Sequence, residues 1–453
     1  MGEVKALGTQ SIGKLLMKYS IPAVIAMLVN AIYNVVDRIF IGQFAGEAAL
    51  AGLTVAFPIM MITFAFANLV GIGGAALLSI KLGENDRKGA NHVFGNTLSF
   101  GLIVTGFTLI AIFFNLDNIL TLFGATVEVS GYASSYMTII LGGFIFQMTS
   151  FVLNSSVRTE GKPVLSMMAM IASAVTNIVL DYIFIGLLDM GVAGAAYATI
   201  IGQFVGLSIL ASFYLRGKSQ LKLNMKDIMP DFKVISSIVT IGFATFLSTV
   251  GTSVAMAMIN RSLSIYGGTA AITSMGAINS LYTFFIMPIM GITQGMQPIL
   301  GYNHGAKKRE RVVKTLKYGI LIGMTFSSLV FIVLELFPRP FISMFLDPNS
   351  ATVDIAVTGL RIFIAMLPVL CINLMGVAYF QSTAQGRKSM ILGLLRQFIV
   401  LIPVILVLPQ FLGLTGVWLA TPIADATAIG ITGLVLLNDL RKPYKDEIYL
   451  QVA

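Results

Sequence analysis

Twelve long apolar segments dominate this sequence and decide what the chain can fold into. Each is about 20 residues or longer, which is the length that a helix needs to cross the hydrocarbon core of a bilayer. The segments are continuous and do not alternate with polar residues, so a transmembrane β-barrel is excluded. The sequence therefore predicts an all-α polytopic membrane protein. The predicted spans are approximately 15–41, 50–80, 91–114, 129–157, 163–187, 191–215, 233–262, 268–303, 311–336, 352–382, 388–410 and 414–438.

The composition agrees with a membrane protein. Of 453 residues, 57% are hydrophobic and only 11% are charged, about half the charged fraction of a soluble protein. The single cysteine, Cys371, provides no disulfide framework. With His92 and His304 as the only histidines, we expect no zinc site.

The Lys and Arg residues are distributed according to loop position, which indicates membrane topology rather than a nucleic-acid-binding surface. Basic residues cluster in every second loop, whereas the intervening loops are acidic. By the positive-inside rule, this alternation predicts an even number of spans with both termini in the cytoplasm. It also accounts for the net charge of +9 without nucleic acid. The basic clusters lie near residues 5–18, 81–88, 158–162, 216–233, 307–317, 387–388 and 441–445.

The sequence repeats itself at an offset of 222 residues. Residues 46–83 align without a gap to 268–305, and residues 191–199 align to 413–421. Six spans thus repeat as six spans, and two such halves are related by an axis along the membrane normal. We expect two pseudo-symmetric six-helix lobes facing a central cavity. Their predicted limits are an N-lobe over 1–215, a basic cytoplasmic linker over 216–233 and a C-lobe over 234–453.

Two carboxylates interrupt the apolar spans of the first half. Asn30, Asn34 and Asp37 share one helical face of the first span, and Asn177 and Asp181 share a face of the fifth. A carboxylate in mid-membrane costs about 2.5–3.5 kcal/mol, so it marks an ion, proton or substrate pathway by default. The alternatives are a structural Asp181 paired with a neighbouring helix, and an Asp37 paired locally with Arg38.

Other side chains of the first half extend this set. They are Tyr136 and Asn154 in the fourth span, Met170 on the face of Asn177, and Thr199 and Gln203 one turn apart in the sixth. Protonation of poorly hydrated carboxylates would couple proton uptake to helix packing. Alternatively, the oxygens of Asp37, Asn177, Asp181 and Thr199 form a hard site suited to Na⁺. A cationic drug would compete with either ion, which is the thermodynamic basis of antiport.

The second half lacks these acids at matching positions. Asp37-Arg38 aligns with Asn260-Arg261, and the region matching Asp181 contains no acid. The remaining acids at membrane level are Asp425 and Glu335. Asp425 is either a second functional carboxylate or a structural residue.

These residues together resemble the multidrug and toxic compound extrusion (MATE) family, and most closely its prokaryotic DinF/MepA-like members. The similar stretches are Asn34-Val35-Val36-Asp37-Arg38-Ile39-Phe40-Ile41-Gly42, Asn177-x-x-x-Asp181, Arg158-Thr159-Glu160-Gly161-Lys162-Pro163 and Gly191-Val192-Ala193-Gly194-Ala195-Ala196. The resemblance covers essentially the whole chain. It implies a twelve-helix transporter in the cell membrane, with export driven by protons or sodium.

Carried over residue by residue, the resemblance assigns ion coupling and substrate binding to the first half. Asp37 and Asp181 would couple the ion, with Asn177 and Thr199 as partners. Residues expected to line the substrate cavity are Asn30, Asn34, Tyr136, Asn154, Met170 and Gln203. The implied partners are small-molecule drugs or toxic organic cations and the lipid bilayer, and we expect a monomer with no cofactor beyond the coupling ion.

Three other functions are alternatives to a multidrug exporter. A lipid-linked oligosaccharide flippase has a similar fold but should present a more cationic cavity, which makes the placement of Arg361 and Arg396 informative. A membrane-embedded enzyme would need a nucleophile or metal constellation, and the spans contain none. A channel would need a selectivity filter, and nothing resembles a four-fold filter loop.

Overall fold

The computed structural model describes residues 2–123 and 125–442, so Lys445 and the end of the predicted C-lobe lie outside the described residues. Within that part of the chain, the regular structure is helical and contains no strand. Ten helical stretches are long and apolar enough to cross a membrane. Two of them are each interrupted by one non-helical glycine, Gly268 or Gly413. The stretches therefore comprise twelve segments, and the predicted fold class is confirmed.

The helices follow the predicted order. Helices α1 to α6 are Ile12–Phe40, Glu47–Gly83, Arg87–Phe113, Val127–Thr159, Pro163–Asp181 and Gly191–Leu215. Helices α7 and α8 are the parts of Phe232–Gly305 before and after Gly268, and α9 is Arg309–Leu336. Helix α10 consists of Thr352–Phe363 and Leu370–Ser382. Helix α11 begins as Gly386–Leu394 and continues into Ile402–Arg441, where Gly413 separates it from α12. Short helices are Gly2–Leu7, Leu116–Leu122, Met225–Ile228 and Pro338–Ile342.

Single glycines replace two of the predicted loops. Gly268 has φ 62° and Gly413 has φ 56°, both in the left-handed region that glycine enters without a Cβ clash. Helix α10 instead breaks at a 3₁₀ turn, Leu367–Val369. That turn contains Pro368, a residue that cannot continue the hydrogen-bond ladder of the preceding helix.

Three π-helical segments lie within or directly after spans that carry charged residues. Ile41–Ala45 extends α1 beyond Asp37, and Tyr182–Leu187 follows Asp181 directly. The third segment, Leu395–Leu401, contains Arg396. Because π-helical turns are rare and are frequently found at functional sites, they draw attention to these three side chains.

The two halves touch at the end of the bundle that carries the basic loops, which we call the basic end. There, a Cβ added to Gly83 would lie 2.1 Å from the Tyr302 carbonyl oxygen, and one added to Gly305 would lie 2.1 Å from that of Ile80. The two contacts exchange under the 222-residue repeat, and we call them the glycine seam. The halves are thus in backbone contact at the basic end.

The predicted linker is attached to helices of the first half. The buried Glu160 carboxylate, at the end of α4, accepts hydrogen bonds from the Ser219 hydroxyl at 2.8 and 2.9 Å and from the Gln220 backbone N–H at 2.7 Å. Burial raises the pKa of Glu160 above its usual range. At the other end of the linker, His92 Nε2 lies 3.1 Å from Asp231 Oδ2, and this contact lowers the pKa of Asp231. The exact limits of the lobes and the linker stay a prediction.

Candidate functional site

Two carboxylates lie side by side between α1 and α5. Asp37 and Asp181 are both buried, with 8% and 0% of their surfaces exposed, and their carboxyl groups are close enough to hydrogen-bond to each other. The Oδ1 atom of each has no hydrogen-bond partner among the described residues. Two like charges in a dry site repel each other and are poorly solvated, so a proton or a cation is needed to balance them.

An amide and a hydroxyl extend this pair toward α6. Asn177 lies one turn before Asp181 on the buried face of α5. When the Asn177 amide is oriented so that both its ends are satisfied, its Nδ2 donates to Asp181 Oδ2 at 3.3 Å. Its Oδ1 then accepts from the Thr199 backbone N–H, also at 3.3 Å. The structure therefore brings together all four residues predicted to couple an ion.

Two tyrosines complete the wall of the site. Tyr136 is buried, and its hydroxyl lies near Thr199. Tyr33 lies near Asp37, Asn30 and Asn34. Sequence reasoning missed Tyr33, although the signal was present because this residue is three positions after Asn30 on the same helical face.

The two asparagines of α1 lie beside the carboxylates at a more exposed position. Asn34 Nδ2 donates to the Asn30 carbonyl oxygen at 2.7 Å and lies 3.3 Å from Asn30 Oδ1. Arg38, the next charged residue, is exposed, and its guanidinium lies over the Phe57 ring at 5.2 Å from the centroid. A cation–π contact of this kind stabilises Arg38 on the α2 side of the helix.

Other predicted cavity residues lie at a distance from the carboxylates. Asn154 is tied to α5, because its Nδ2 donates to the Ser166 carbonyl oxygen at 3.2 Å and its Oδ1 accepts from the Ser166 hydroxyl at 2.9 Å. Ser166 precedes Asp181 by about 22 Å along the helix, and the half-buried Met170 precedes it by about 16 Å. Gln203 is half-buried one turn after Thr199. The predicted set thus divides into a compact site and a group nearer the basic end.

The second half contains an ion pair instead of two acids. Arg396 Nε lies 2.5 Å from Asp425 Oδ1, and Arg396 Nη2 lies 3.4 Å from the Tyr282 hydroxyl. Arg361 likewise pairs with Glu335 at 3.4 Å. The two cations that a flippase reading would use are therefore each engaged with a carboxylate.

A helical membrane protein with two duplicated halves and a buried polar site has the architecture of a transporter. The MatE family model matches residues 22–183 and 241–407, which together make up more than half of the chain and include both halves. The chain belongs to the MatE family of multidrug export transporters.

Known proteins support this assignment along nearly the whole length. The multidrug export protein MepA of Staphylococcus haemolyticus is 30% identical over 436 residues, covering 95% of this chain and 94% of that protein. The solved structure of the MATE multidrug transporter DinF-BH has a TM-score of 0.89 and 39% identity, covering 95% and 97% of the two chains. A multidrug resistance MATE transporter in an outward-facing conformation has a TM-score of 0.91 and 26% identity, covering 98% and 99%.

Proposed function

We propose that this protein is an antiporter that exports lipophilic, often cationic, small molecules in exchange for H⁺ or Na⁺. Asp37 and Asp181 are the coupling residues, and the protein works by alternating access. The observation that carries the proposal is the direct contact of these two buried carboxyl groups, each with an oxygen that has no partner among the described residues.

Coupling follows from competition for the same negative charge. A proton or Na⁺ bound between the carboxylates neutralises the site, and a cationic substrate nearby does the same. Because occupancy by one lowers the affinity for the other, an inward ion gradient favours release of the substrate.

The donor set suits either ion. Carboxylate, amide and hydroxyl oxygens are the hard ligands that Na⁺ takes, and Asp37, Asp181, Asn177 and Thr199 supply them. The same two carboxylates, side by side, share a proton readily because both cannot carry a charge at close range. The coupling ion is therefore identified by imposing a proton gradient and a sodium gradient separately in the transport test.

The orientation of the protein follows from its loops. We place the basic end, with both termini, in the cytoplasm of a cell whose plasma membrane the protein spans. The glycine seam then lies on the cytoplasmic side, which makes the described conformation closed toward the cytoplasm. A similar solved structure is named as an outward-facing conformation, and the same state is proposed here.

The test is ethidium transport by purified protein in proteoliposomes, with a proton gradient and a sodium gradient imposed separately. We expect the wild type to respond to one gradient. Asp37→Asn and Asp181→Asn should lose gradient-driven transport while still binding ethidium. Asp117→Asn, which alters an exposed acid of the same half, is the matched control and should transport like the wild type.

The outcomes separate the coupling residues from the transport function. Wild-type protein that moves ethidium under neither gradient contradicts the antiport proposal. Asp37→Asn and Asp181→Asn variants that both remain fully gradient-driven would contradict the role given to these carboxylates and leave export itself standing.

A further inference from the structure

The linker between the two halves lies along the side of α3 rather than beyond its end. The Lys222 backbone N–H donates to the Asn91 side-chain oxygen at 3.0 Å. Asn96 Nδ2 donates to the Asp227 carbonyl oxygen at 3.2 Å, and a Cβ added to Gly95 would lie 2.2 Å from the same oxygen. Asn96 comes nine positions after the first residue of α3, which corresponds to about 14 Å along the helix. The linker therefore reaches back along a membrane-spanning helix to the depth at which that helix enters the lipid.

The two acids of the linker are turned toward α3. His92 Nε2 lies 3.1 Å from Asp231 Oδ2, and His92 Nδ1 lies 3.8 Å from Asp227 Oδ1. The Asp231 backbone N–H also donates to Asn96 Oδ1 at 2.6 Å. The face of the linker that points away from α3 therefore contains the basic residues without the acids.

That outer face combines apolar and basic side chains. Met225, Met229 and Phe232 expose 83%, 70% and 84% of their surfaces. Three exposed lysines are interleaved with them, Lys222, Lys226 and Lys233. A surface of this composition fits the interface of an anionic bilayer, because its apolar side chains enter the acyl boundary while its cations contact the headgroups. Each lysine near such a surface strengthens binding about fivefold.

The chain on both sides of the linker continues this surface into the membrane. Helix α6 ends at Leu215, which is 86% exposed, and α7 begins at Phe232. Both helices are long and apolar enough to cross a membrane, so both ends of the linker are held at one membrane surface. Its position and its positive charge thus favour the bilayer, rather than a soluble protein, as the partner of the outer face.

We propose that linker residues 222–233 form an interfacial anchor that binds anionic phospholipids of the leaflet at the basic end. Met225, Met229 and Phe232 enter that leaflet, and the lysines between them contact the lipid phosphates. Because the inner face of the linker is bonded to α3, the anchor holds the first half at the membrane surface. This inference concerns a lipid partner and does not depend on which substrate is exported or which ion drives export.

The test measures the membrane depth of single spin labels on the full chain. The protein is reconstituted into bilayers of phosphatidylcholine alone or of phosphatidylcholine and phosphatidylglycerol in equal parts. Labels introduced by Met225→Cys and Met229→Cys should be accessible to oxygen and shielded from a water-soluble nickel reagent. Lys88→Cys, at an exposed position in the first turn of α3, is the control and should stay accessible to nickel. The native Cys371 is buried and should not take up the label.

A second comparison tests the role of the charges. Phosphatidylglycerol should increase the shielding of the label at Met225→Cys. Lys222→Gln/Lys226→Gln in the same background should lose most of this response, because each lysine contributes about fivefold to binding. Arg87→Gln/Lys88→Gln removes two exposed charges of the same end outside the linker and should keep the response.

Each result bears on one part of the proposal. Labels at positions 225 and 229 that are as accessible to nickel as the label at position 88, in both bilayers, would place the outer face in water. That result overturns membrane binding and leaves a soluble protein as the partner to be sought. Shielding that responds neither to phosphatidylglycerol nor to the loss of the two lysines overturns the recognition of anionic lipids.

Discussion

The two halves of this protein share a backbone arrangement and differ in the charges placed on it. At the basic end, Gly83 and Gly305 make the same contact with the opposite half, at 2.1 Å for an added Cβ in each case. Deeper in the bundle, the first half has two adjacent acids and the second has an arginine paired with an acid. The two copies thus kept the surfaces where backbones meet, while their buried polar groups diverged.

That divergence has a physical reason. A backbone contact at a glycine admits no side chain on either half, so both copies are restricted alike. A polar side chain that faces a cavity needs only a partner for its hydrogen bonds or its charge. Partners of different kinds can supply this. Asp181 accepts a hydrogen bond from the Asn177 amide, whereas Asp425 is paired with Arg396.

The largest expected effect on stability is in the ion pair of the second half. Asp425→Asn leaves the Arg396 charge buried without its partner, which should cost about 3–5 kcal/mol. Asp181→Asn removes one of two adjacent like charges and should leave stability unchanged or higher. Thermal unfolding of the detergent-purified variants measures both. A Tm for Asp425→Asn equal to that of Asp181→Asn would erase the proposed contrast between the halves, and Arg396→Gln/Asp425→Asn should recover most of the loss.

The next largest effect is expected at the glycine seam, where variants test whether its two contacts are equivalent. Gly83→Ala and Gly305→Ala each force a methyl group against a backbone carbonyl that cannot rotate away, which should cost about 1–3 kcal/mol of the closed state. A tenfold shift corresponds to about 1.4 kcal/mol, so each variant should shift the population toward the open basic end by about 5-fold to 150-fold. Spin-label distances across the basic end measure that population.

The control for the seam is Gly106→Ala, because an added Cβ there meets nothing within 4 Å. It should behave like the wild type. If only one of the two seam variants changes the distance distribution, the contact is not functionally symmetric and the comparison at the basic end fails.

The sequence predicted the helical fold, and it predicted which polar residues of α1 and α5 lie together, because both features have local signatures. The 222-residue repeat predicted the paired halves, and the four-residue spacing of Asn177 and Asp181 predicted a shared helical face. Tyr33 lies on the same helical face as Asn30, but the sequence analysis did not single it out. An aromatic residue in an apolar span is a weaker indication of a polar site than an amide.

Other features depend on distances between helices, which spacing along the chain does not contain. The partner of Asp425 is 29 positions away on another helix, so Arg396 was noted only as a cation to be placed. Asn154 shares a span with Tyr136, but it lies nearer the basic end and pairs with Ser166. The π-helical segments and the single-glycine breaks have no periodic signature.

A smaller effect separates the equivalent threonines of α6 and α12. The Thr199 hydroxyl lies 3.3 Å from the Asn177 side-chain amide, while the Thr421 hydroxyl has no partner among the described residues. Thr199→Val should cost about 0.6–1.7 kcal/mol, as for an interhelical hydrogen bond in a membrane protein, and weaken coupling-ion affinity. Thr421→Val should leave both stability and ion affinity unchanged. Ion-dependent shifts in Tm provide the comparison, and equal shifts for the two variants would contradict it.

The smallest effect concerns the linker, which is attached to the first half through Glu160. Burial raises the pKa of this carboxyl in the folded protein, so folding favours its protonated form. Its contribution to stability is therefore fully present below the unfolded pKa of about 4.3 and is lost as pH rises through the higher folded value. Protection of the Gln220 amide from hydrogen exchange, corrected for the intrinsic rate, should decrease over that range in the wild type. Glu160→Gln keeps the acceptor oxygen without the charge, so the protection of the Gln220 amide in this variant should not change with pH.

The Asp231 contact has the opposite pH dependence. Because the pKa of Asp231 is lowered in the folded protein, its contribution to stability is lost only on acidification. A wild-type linker that becomes better protected as pH rises would show that Glu160 does not control its attachment.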